Sequence, residues 1–356
     1  MALLDRDRMP VMFTVTTSVV SGLIVTGVLA AVRTGFTGGA AFTWFAATTA
    51  AVAVLSAGGW LVYRTRRGGR RAFLVASALR QKYFIAAFVQ SIHSALDRNS
   101  VDLVLKVPDR DYDPSALSHH LRRLLERRRE YMGGVIIATE VQRRLGDLGT
   151  FCAKARLPVV FTDIEPFTEE SAYPENAVFV GYDTGSLGDL AGRWLVTRLR
   201  ATSRPRVLII ASREHQARQQ RCAEALRLGL PNVSVTVDDS CDFERSRANR
   251  AVRAHLRDLD DGHRLDAIVC TNDEMALGAV DAMATRSPAT RSTVVVGIDG
   301  VLEAKALIDA GNSPFRATVV QDDHRMAMAV VDVLEKMHRG ETVAVRHILE
   351  AEVYDG

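Results

Sequence analysis

Lysine is scarce in this 356-residue chain: of 45 basic side chains only five are lysines (82, 106, 154, 305 and 336), which we read as a compositional bias toward arginine. Cysteine is scarce as well. Cys152, Cys222, Cys241 and Cys270 are widely scattered with no CxxC pair, so neither a zinc ribbon nor a dithiol redox site is supported. GxSxG, HExxH and GxxxxGK[ST] are all missing, and Gly181, Gly185 and Gly188 lack dinucleotide-binding spacing. A charge of one sign is missing too. The 45 basic residues face 42 acidic ones for a net +3, and five arginines fall within 64–71, so the rest of the chain is slightly acidic. That excludes a globally basic surface for nucleic acid, and no nucleic-acid partner is expected. Disorder is excluded by a composition that is 47% hydrophobic and 24% charged. The length allows about two to three structural units.

Two long stretches carry no charge at all: Pro10 to Val32 and Gly35 to Tyr63. Each exceeds the roughly 20 apolar residues that a helix needs to cross a bilayer. Arg33 and a Thr/Gly-rich turn separate them, which predicts a two-helix membrane hairpin. The block Arg64, Arg66, Arg67, Arg70, Arg71 follows at once, and arginine-rich flanks stay on the cytoplasmic side. Residues 1–71 thus read as a two-pass membrane anchor with a lipid bilayer as partner and the rest of the chain in the cytosol. The alternative is a cleaved signal peptide on an exported protein, with the soluble part on the extracytoplasmic face.

From Ala72 onward, short β-branched runs alternate with amphipathic stretches. Ten candidate strands emerge: 72–77, 101–107, 134–138, 159–162, 178–181, 207–211, 233–237, 267–270, 294–298 and 318–321. Their nearly continuous apolar character suits strands buried on both faces. Strand–helix alternation implies βαβ units and parallel sheets, and ten strands divide best into two lobes. Ligands of open α/β sheets bind beyond the carboxyl ends of the strands. The polar and aromatic residues at those positions are Gln81, Tyr83, Phe84, Asp163, Asp183, Arg218, Asn272, Asp299 and Gln321. Carboxylates, carboxamides and a guanidinium can grip vicinal hydroxyls, and flat rings can cover the CH face of a sugar-like ring. No nucleophile–base pair and no metal cluster stands among them.

Asp266-Ala-Ile-Val-Cys-Thr-Asn-Asp-Glu-Met-Ala-Leu-Gly-Ala-Val-Asp-Ala-Met283, Val294-Val-Val-Gly-Ile-Asp-Gly300 and Ala317-Thr-Val-Val-Gln321 resemble blocks of ribose-binding-type periplasmic proteins and of the effector domain of lac-repressor-type regulators. Val178–Gly188 and Arg218–Leu226 match more loosely. The resemblance implies an α/β fold of two Rossmann-like lobes (a type I periplasmic-binding architecture), with three chain crossings at a hinge. It puts lobe one at about 72–182 plus 322–339 and lobe two at about 183–321 plus 340–356. It also implies that Arg218, Asn272, Asp299 and Gln321 bind sugar hydroxyls and that Tyr83 and Phe84 cover the ring. The chain departs from the pattern where Gln81 replaces a frequent Asn, Ile164 replaces an Arg after Asp163, and Thr184 follows Asp183. These departures count against a pentose such as ribose. Three aspartates facing Arg218 count against a strongly anionic ligand.

Other readings stay open at several positions. Asn272 and Asp273 suit a helix cap as well as a ligand, and Asp299-Gly300 suits a turn. Asp163 and Asp183 suit capping or hinge roles. Asp109-Arg-Asp-Tyr-Asp113 opens like a calcium loop, but Pro114 stands where glycine is needed and His120 where glutamate is needed. The basic stretch 121–130 suits a solvated helix face or contact with anionic lipid. The expected protein is a membrane-anchored, non-enzymatic receptor that closes on a small polar, sugar-like solute, needs no cofactor or metal, and signals to a membrane or signalling partner. The alternatives are the extracytoplasmic binding component of a sugar ABC-type transporter, and an enzyme using Asp163 or Asp299 as a base.

Overall fold

A computed structural model describes residues 71–76, 83–109, 114–137, 141–167, 169–258, 264–284 and 292–356. The two uncharged stretches and the arginine block as far as Arg70 lie outside the described residues. Among the described residues no helix is long and apolar enough to cross a membrane.

The chain builds one α/β layer after another. Lobe one comprises β1 (Arg71–Ala76), α1 (Tyr83–Arg98), β2 (Asp102–Lys106), α2 (Pro114–Glu126), β3 (Gly133–Ile137), α3 (Val141–Ala155), β4 (Val159–Phe161) and β5 (Ala177–Tyr182). Lobe two repeats the scheme with α4 (Thr184–Leu199), β6 (Arg206–Ile210), α5 (Gln216–Gly229), β7 (Ser234–Asp238), α6 (Arg245–Arg257), β8 (Ala267–Cys270), α7 (Asp273–Ala282), β9 (Val294–Asp299), α8 (Leu302–Ala310) and β10 (Phe315–Val320). The chain then returns through α9 (Asp323–His338) and ends in β11 (Arg346–Leu349) and β12 (Glu352–Tyr354).

Each lobe holds one six-stranded sheet, ordered β11-β5-β4-β3-β1-β2 and β12-β10-β9-β8-β6-β7. The five main strands of each are parallel, as helical crossovers require. The ten expected strands are all present within a few residues of their expected ends. Central strands such as β3, β5 and β8 are buried along their whole length, while the edge strands β2 and β7 alternate with solvent.

Two further strands carry little apolar signal and add to the expected ten. β11 runs parallel beside β5, and β12 runs antiparallel beside β10. This corrects the expected lobe boundary: 340–356 does not belong wholly to lobe two, because Arg346–Leu349 completes the sheet of lobe one. Backbone pairing with an exposed edge, rather than burial of a hydrophobic face, decides where such a strand goes.

The chain therefore crosses between lobes three times: after β5, after β10, and between β11 and β12. Asp183 caps α4 at the first crossing, its Oδ1 accepting from Ser186 N at 2.7 Å. Asp322 caps α9 at the second, accepting from Arg325 N at 2.9 Å. The Tyr182 hydroxyl accepts from Asp322 N at 2.9 Å and so ties these two crossings together. α9 belongs to lobe one: Ser91 donates to Asp323 Oδ2 at 2.6 Å, and Met326, Val330 and Leu334 share a core with Phe88 and Ile92 of α1.

Candidate functional site

The carboxyl ends of β6, β8, β9 and β10 bring one polar group together. Arg218 sits in the first turn of α5, and its guanidinium is fully buried. Its backbone is positioned by close helix packing: a Cβ on Gly188 of α4 would lie 2.0 Å from the Arg218 carbonyl oxygen, so only glycine permits the approach. The guanidinium donates to the Thr271 carbonyl at 2.9 Å and stands 3.7 Å from Asp299 Oδ1. Gln321 donates from Nε2 to the same Asp299 oxygen at 2.8 Å. Burial pulls the guanidinium below its usual range, opposed first by Asp299 and then by Asp163 of lobe one. The two lobes thus share one electrostatic site.

Among the described residues no group accepts a hydrogen bond from Arg218 Nε, which is buried. A buried donor left unmade costs roughly 1–3 kcal/mol, which an acceptor from a bound molecule would recover. Asn272 caps α7, accepting from Met275 N at 2.9 Å through Oδ1. The cap leaves Nδ2 as its remaining donor, so the capping role and a ligand role are compatible at this residue.

Asp299 closes β9 at φ 131° and is followed by Gly300 at φ 78°. Asp163, in the matching position after β4 of lobe one, also has a positive φ, 71°. Non-glycine residues rarely adopt such angles, and they persist where surrounding contacts over-determine them. Both aspartates are buried, at 7% exposure for Asp163 and 9% for Asp299.

The remaining expected residues divide. Phe84 is the second residue of α1 but is only 8% exposed and belongs with Ile85 and Phe88 to the core cluster. Asp183 spends its carboxylate on the α4 cap described above. Gln81 and the side chain of Tyr83 lie outside the described residues. Arg218, Asn272, Asp299 and Gln321 are the ones brought to a single place, with Asp163 within electrostatic range.

Three more residues join this cluster without a signal of their own in the sequence. His215 shares a hydrogen bond between Nδ1 and Thr271 Oγ1 at 3.2 Å, and its ring packs edge-on against Phe243 with centroids 4.7 Å apart. Phe243 is buried and holds a positive φ of 67° in the loop after β7. Their only signal is position: Thr271 directly follows β8 and Phe243 lies in the loop after β7, both at the carboxyl edge of the sheet. Among the described residues no group of His, Cys, Asp or Glu is placed to hold a metal ion.

Such a set suits recognition of a polyhydroxylated molecule. A guanidinium and carboxamides donate, carboxylates accept, and the Phe243 and His215 rings offer an apolar wall.

Comparison with known proteins identifies a family and several relatives. The family profile described as Periplasmic binding protein domain matches residues 73–342. A protein of Rhizobium meliloti named for rhizopine binding is 24% identical over 200 residues, 55% of this chain and 62% of that one. The galactofuranose-binding protein of Escherichia coli is 26% identical over 209 residues, 52% of this chain and 64% of its own. The chain thus spans less than two thirds of these curated relatives' length. Among solved structures, an ABC transporter periplasmic solute-binding protein of Actinobacillus succinogenes with bound D-allose superposes with a TM-score of 0.71 at 16% identity, covering 80% of this chain and 97% of that one. A Caulobacter myo-inositol-binding protein bound to myo-inositol gives a TM-score of 0.70 at 19% identity, covering 81% and 94%. At such identities the structural likeness shows the fold alone.

Proposed function

The chain belongs to the periplasmic binding protein family, and from that premise we propose that its two lobes close on a small neutral polyol or sugar without chemically changing it. The observation that carries this reading is the fully buried Arg218, with Nε open, beside Asp299 and Gln321. The names of the relatives support the ligand class: they refer to rhizopine, galactofuranose, allose and inositol. Arg218, Asn272, Asp299 and Gln321 would hold the hydroxyls from lobe two, with Asp163 opposite and Tyr83, the first residue of α1, as the ring-covering candidate of lobe one. Gln81 is a candidate by its sequence position alone. Asp183 serves the hinge by capping α4. Closure requires that the ligand bind the closed arrangement more tightly than the open one.

We propose further that the uncharged stretches 10–32 and 35–63 anchor the domain to a membrane, with the arginines of 64–71 on the cytoplasmic side. The domain would then act as a sensor read by a membrane or signalling partner. The extracytoplasmic alternative, a solute-binding component of a sugar transporter, is favoured by one observation: its structural neighbours include ABC transporter solute-binding proteins. Reporter fusions at the C-terminus separate the two. A fusion active only after export would exclude the cytosolic sensor.

The test of binding is thermal shift of the full chain against myo-inositol, D-allose, D-galactose and xylitol. A ligand at 100 times its dissociation constant should stabilise the domain by about 2.7 kcal/mol. Asp299→Ala should abolish the shift. A full response in that variant would overturn the site assignment, and turnover of the solute would overturn the non-enzymatic reading.

A further inference from the structure

Asp273, one residue past the cap of α7, is completely buried and faces inward to the lobe rather than toward Arg218. Its Oδ2 accepts from Gly300 N at 2.8 Å and from Val301 N at 2.9 Å. Its Oδ1 accepts from the Thr318 hydroxyl of β10 at 2.8 Å, and that hydroxyl also accepts from Gly300 N at 3.1 Å. Space for the carboxylate is left by Gly297, where an added Cβ would lie 2.0 Å from Asp273 Oδ1. Three of these four bonds end on the turn that carries Asp299, and the fourth fixes the Thr318 hydroxyl that meets Gly300 N.

We propose that Asp273 is a positioning residue for the binding site: its carboxylate locks the Asp299–Val301 turn in the positive-φ conformation that aims Asp299 at Arg218 and Gln321, and releases that turn when it is protonated. The proposal rests on the solute-binding reading for its purpose, but the lock itself does not depend on any ligand. Two consecutive positive φ angles, one on a non-glycine residue, need an external restraint, and the two N–H bonds to Oδ2 supply it. A carboxylate accepts both N–H groups, whereas a protonated carboxyl loses acceptor strength and must place its own hydrogen.

The ionisation is finely balanced. Burial raises the Asp273 pKa to about 6, against the lowering effect of Thr318, Val301, Gly300 and then Lys305 on α8. The other titratable groups facing it are Cys270 on β8 and Glu274 on α7. Glu274 in turn faces Arg245 on α6 and Glu303 on α8. In the released turn the Asp273 carboxyl stays buried but has lost its two N–H donors, which holds its pKa higher still than in the locked turn. Protonation therefore favours release, and the lock loosens as the pH falls through the Asp273 range. Global stability contributed by the same group moves the other way. A carboxyl whose folded pKa is raised stabilises the fold most at low pH and loses that contribution as pH rises through 6. An element that merely loses stability would not show these opposite slopes.

The test is amide hydrogen exchange of the full chain in detergent, read on peptides spanning residues 297–302 and corrected for intrinsic rate. The opening of Gly300 and Val301 should increase about fivefold between pH 7.5 and pH 5, with a midpoint near 6. Asp273→Asn should open the turn about tenfold at pH 7.5 and remove the pH dependence. Thr318→Val, a milder change that keeps the two N–H bonds, should open it less and keep the midpoint. Unchanged protection in Asp273→Asn, or an equal pH dependence with and without Asp273, overturns the proposal. With myo-inositol and D-allose as probes, Asp273→Asn should weaken binding more at pH 7.5 than at pH 5. If the wild-type chain binds neither while the exchange arm behaves as expected, the solute reading fails and the lock stands.

Discussion

The two lobes share a strand order and little else. Lobe one fills its core with rings: Phe73, Tyr131, Phe151, Phe161, Phe167 and Phe179 lie in one buried cluster, and Phe73 meets Tyr131 and Phe151 edge to face at 5.6 and 5.9 Å. In the corresponding cluster of lobe two Phe315 is the sole fully buried aromatic among the described residues, set among Ala, Met, Cys and small aliphatic side chains. Its helices approach so closely that a Cβ added to Gly278 on α7 would lie only 2.2 Å from the Arg245 carbonyl oxygen on α6. Close backbone packing brings polar groups into contact, and the polar site residues gather in lobe two. One architecture thus serves two purposes, a shape-filled scaffold in one half and a wired binding surface in the other.

The largest break in that comparison should come from Arg218→Met. It removes the cation facing Asp299 and Asp163 and should strike stability and binding together. Breaking a buried pair by removing one partner costs roughly 3–5 kcal/mol. Urea denaturation should show a loss of that size, and the polyol-induced melting shift should disappear. A variant of normal stability that still binds would mean that Arg218 is not the centre of the site.

Phe73→Ala makes the complementary cut, in lobe one alone. Truncating a buried phenylalanine costs roughly 3–5 kcal/mol through lost burial and the cavity left behind. Phe73 is fully buried between Tyr131 and Phe151, so little collapse is available. Stability should fall while affinity in the surviving folded fraction stays within about twofold, half a kcal/mol or less. A larger loss of affinity would show that the aromatic cluster of lobe one is coupled to the binding surface, through the core cluster that residues of both lobes share.

The sequence reveals these halves unequally. Fully buried parallel strands are apolar throughout, so all ten main strands are legible as runs, and the positions just beyond them lead to Arg218, Asn272, Asp299 and Gln321. Arg346-His-Ile-Leu349 and Glu352-Val-Tyr354 are not legible, because edge strands are fixed by hydrogen bonds to β5 and β10 rather than by burial. The positive φ of Asp299 leaves no trace in residue type, since aspartate there reads equally as a turn. Asp273 reads as a cap beside Asn272, yet its partners lie 27, 28 and 45 residues away, beyond any local pattern. The Phe243–His215 contact is likewise tertiary, and propensity does not encode it.

The smallest effect, and the sharpest on the comparison, is the response of each lobe to pH. In lobe two Glu274 is 7% exposed, and burial pushes its carboxyl up to about 7, with Arg245 opposing and Glu303 and Asp273 adding to the rise. A carboxyl raised in the fold contributes stability that is complete below its unfolded value near 4.5 and lost as pH rises through 7. In lobe one the sign reverses. Burial lowers the pKa of His120 on α2, against the pull of its bond to the Val107 carbonyl. A histidine lowered in the fold contributes stability above its unfolded value of 6.5 and loses it as pH falls. Taking the chain from pH 8 to pH 5.5 should therefore tighten exchange along α7 and loosen it along α2. Glu274→Gln should weaken the first trend, leaving the share that Asp273 on the same helix contributes, and should not touch the second, whereas His120→Gln should flatten the second alone. Parallel trends in both helices would show that the lobes open as one unit, in which case the division drawn from their cores does not extend to their dynamics.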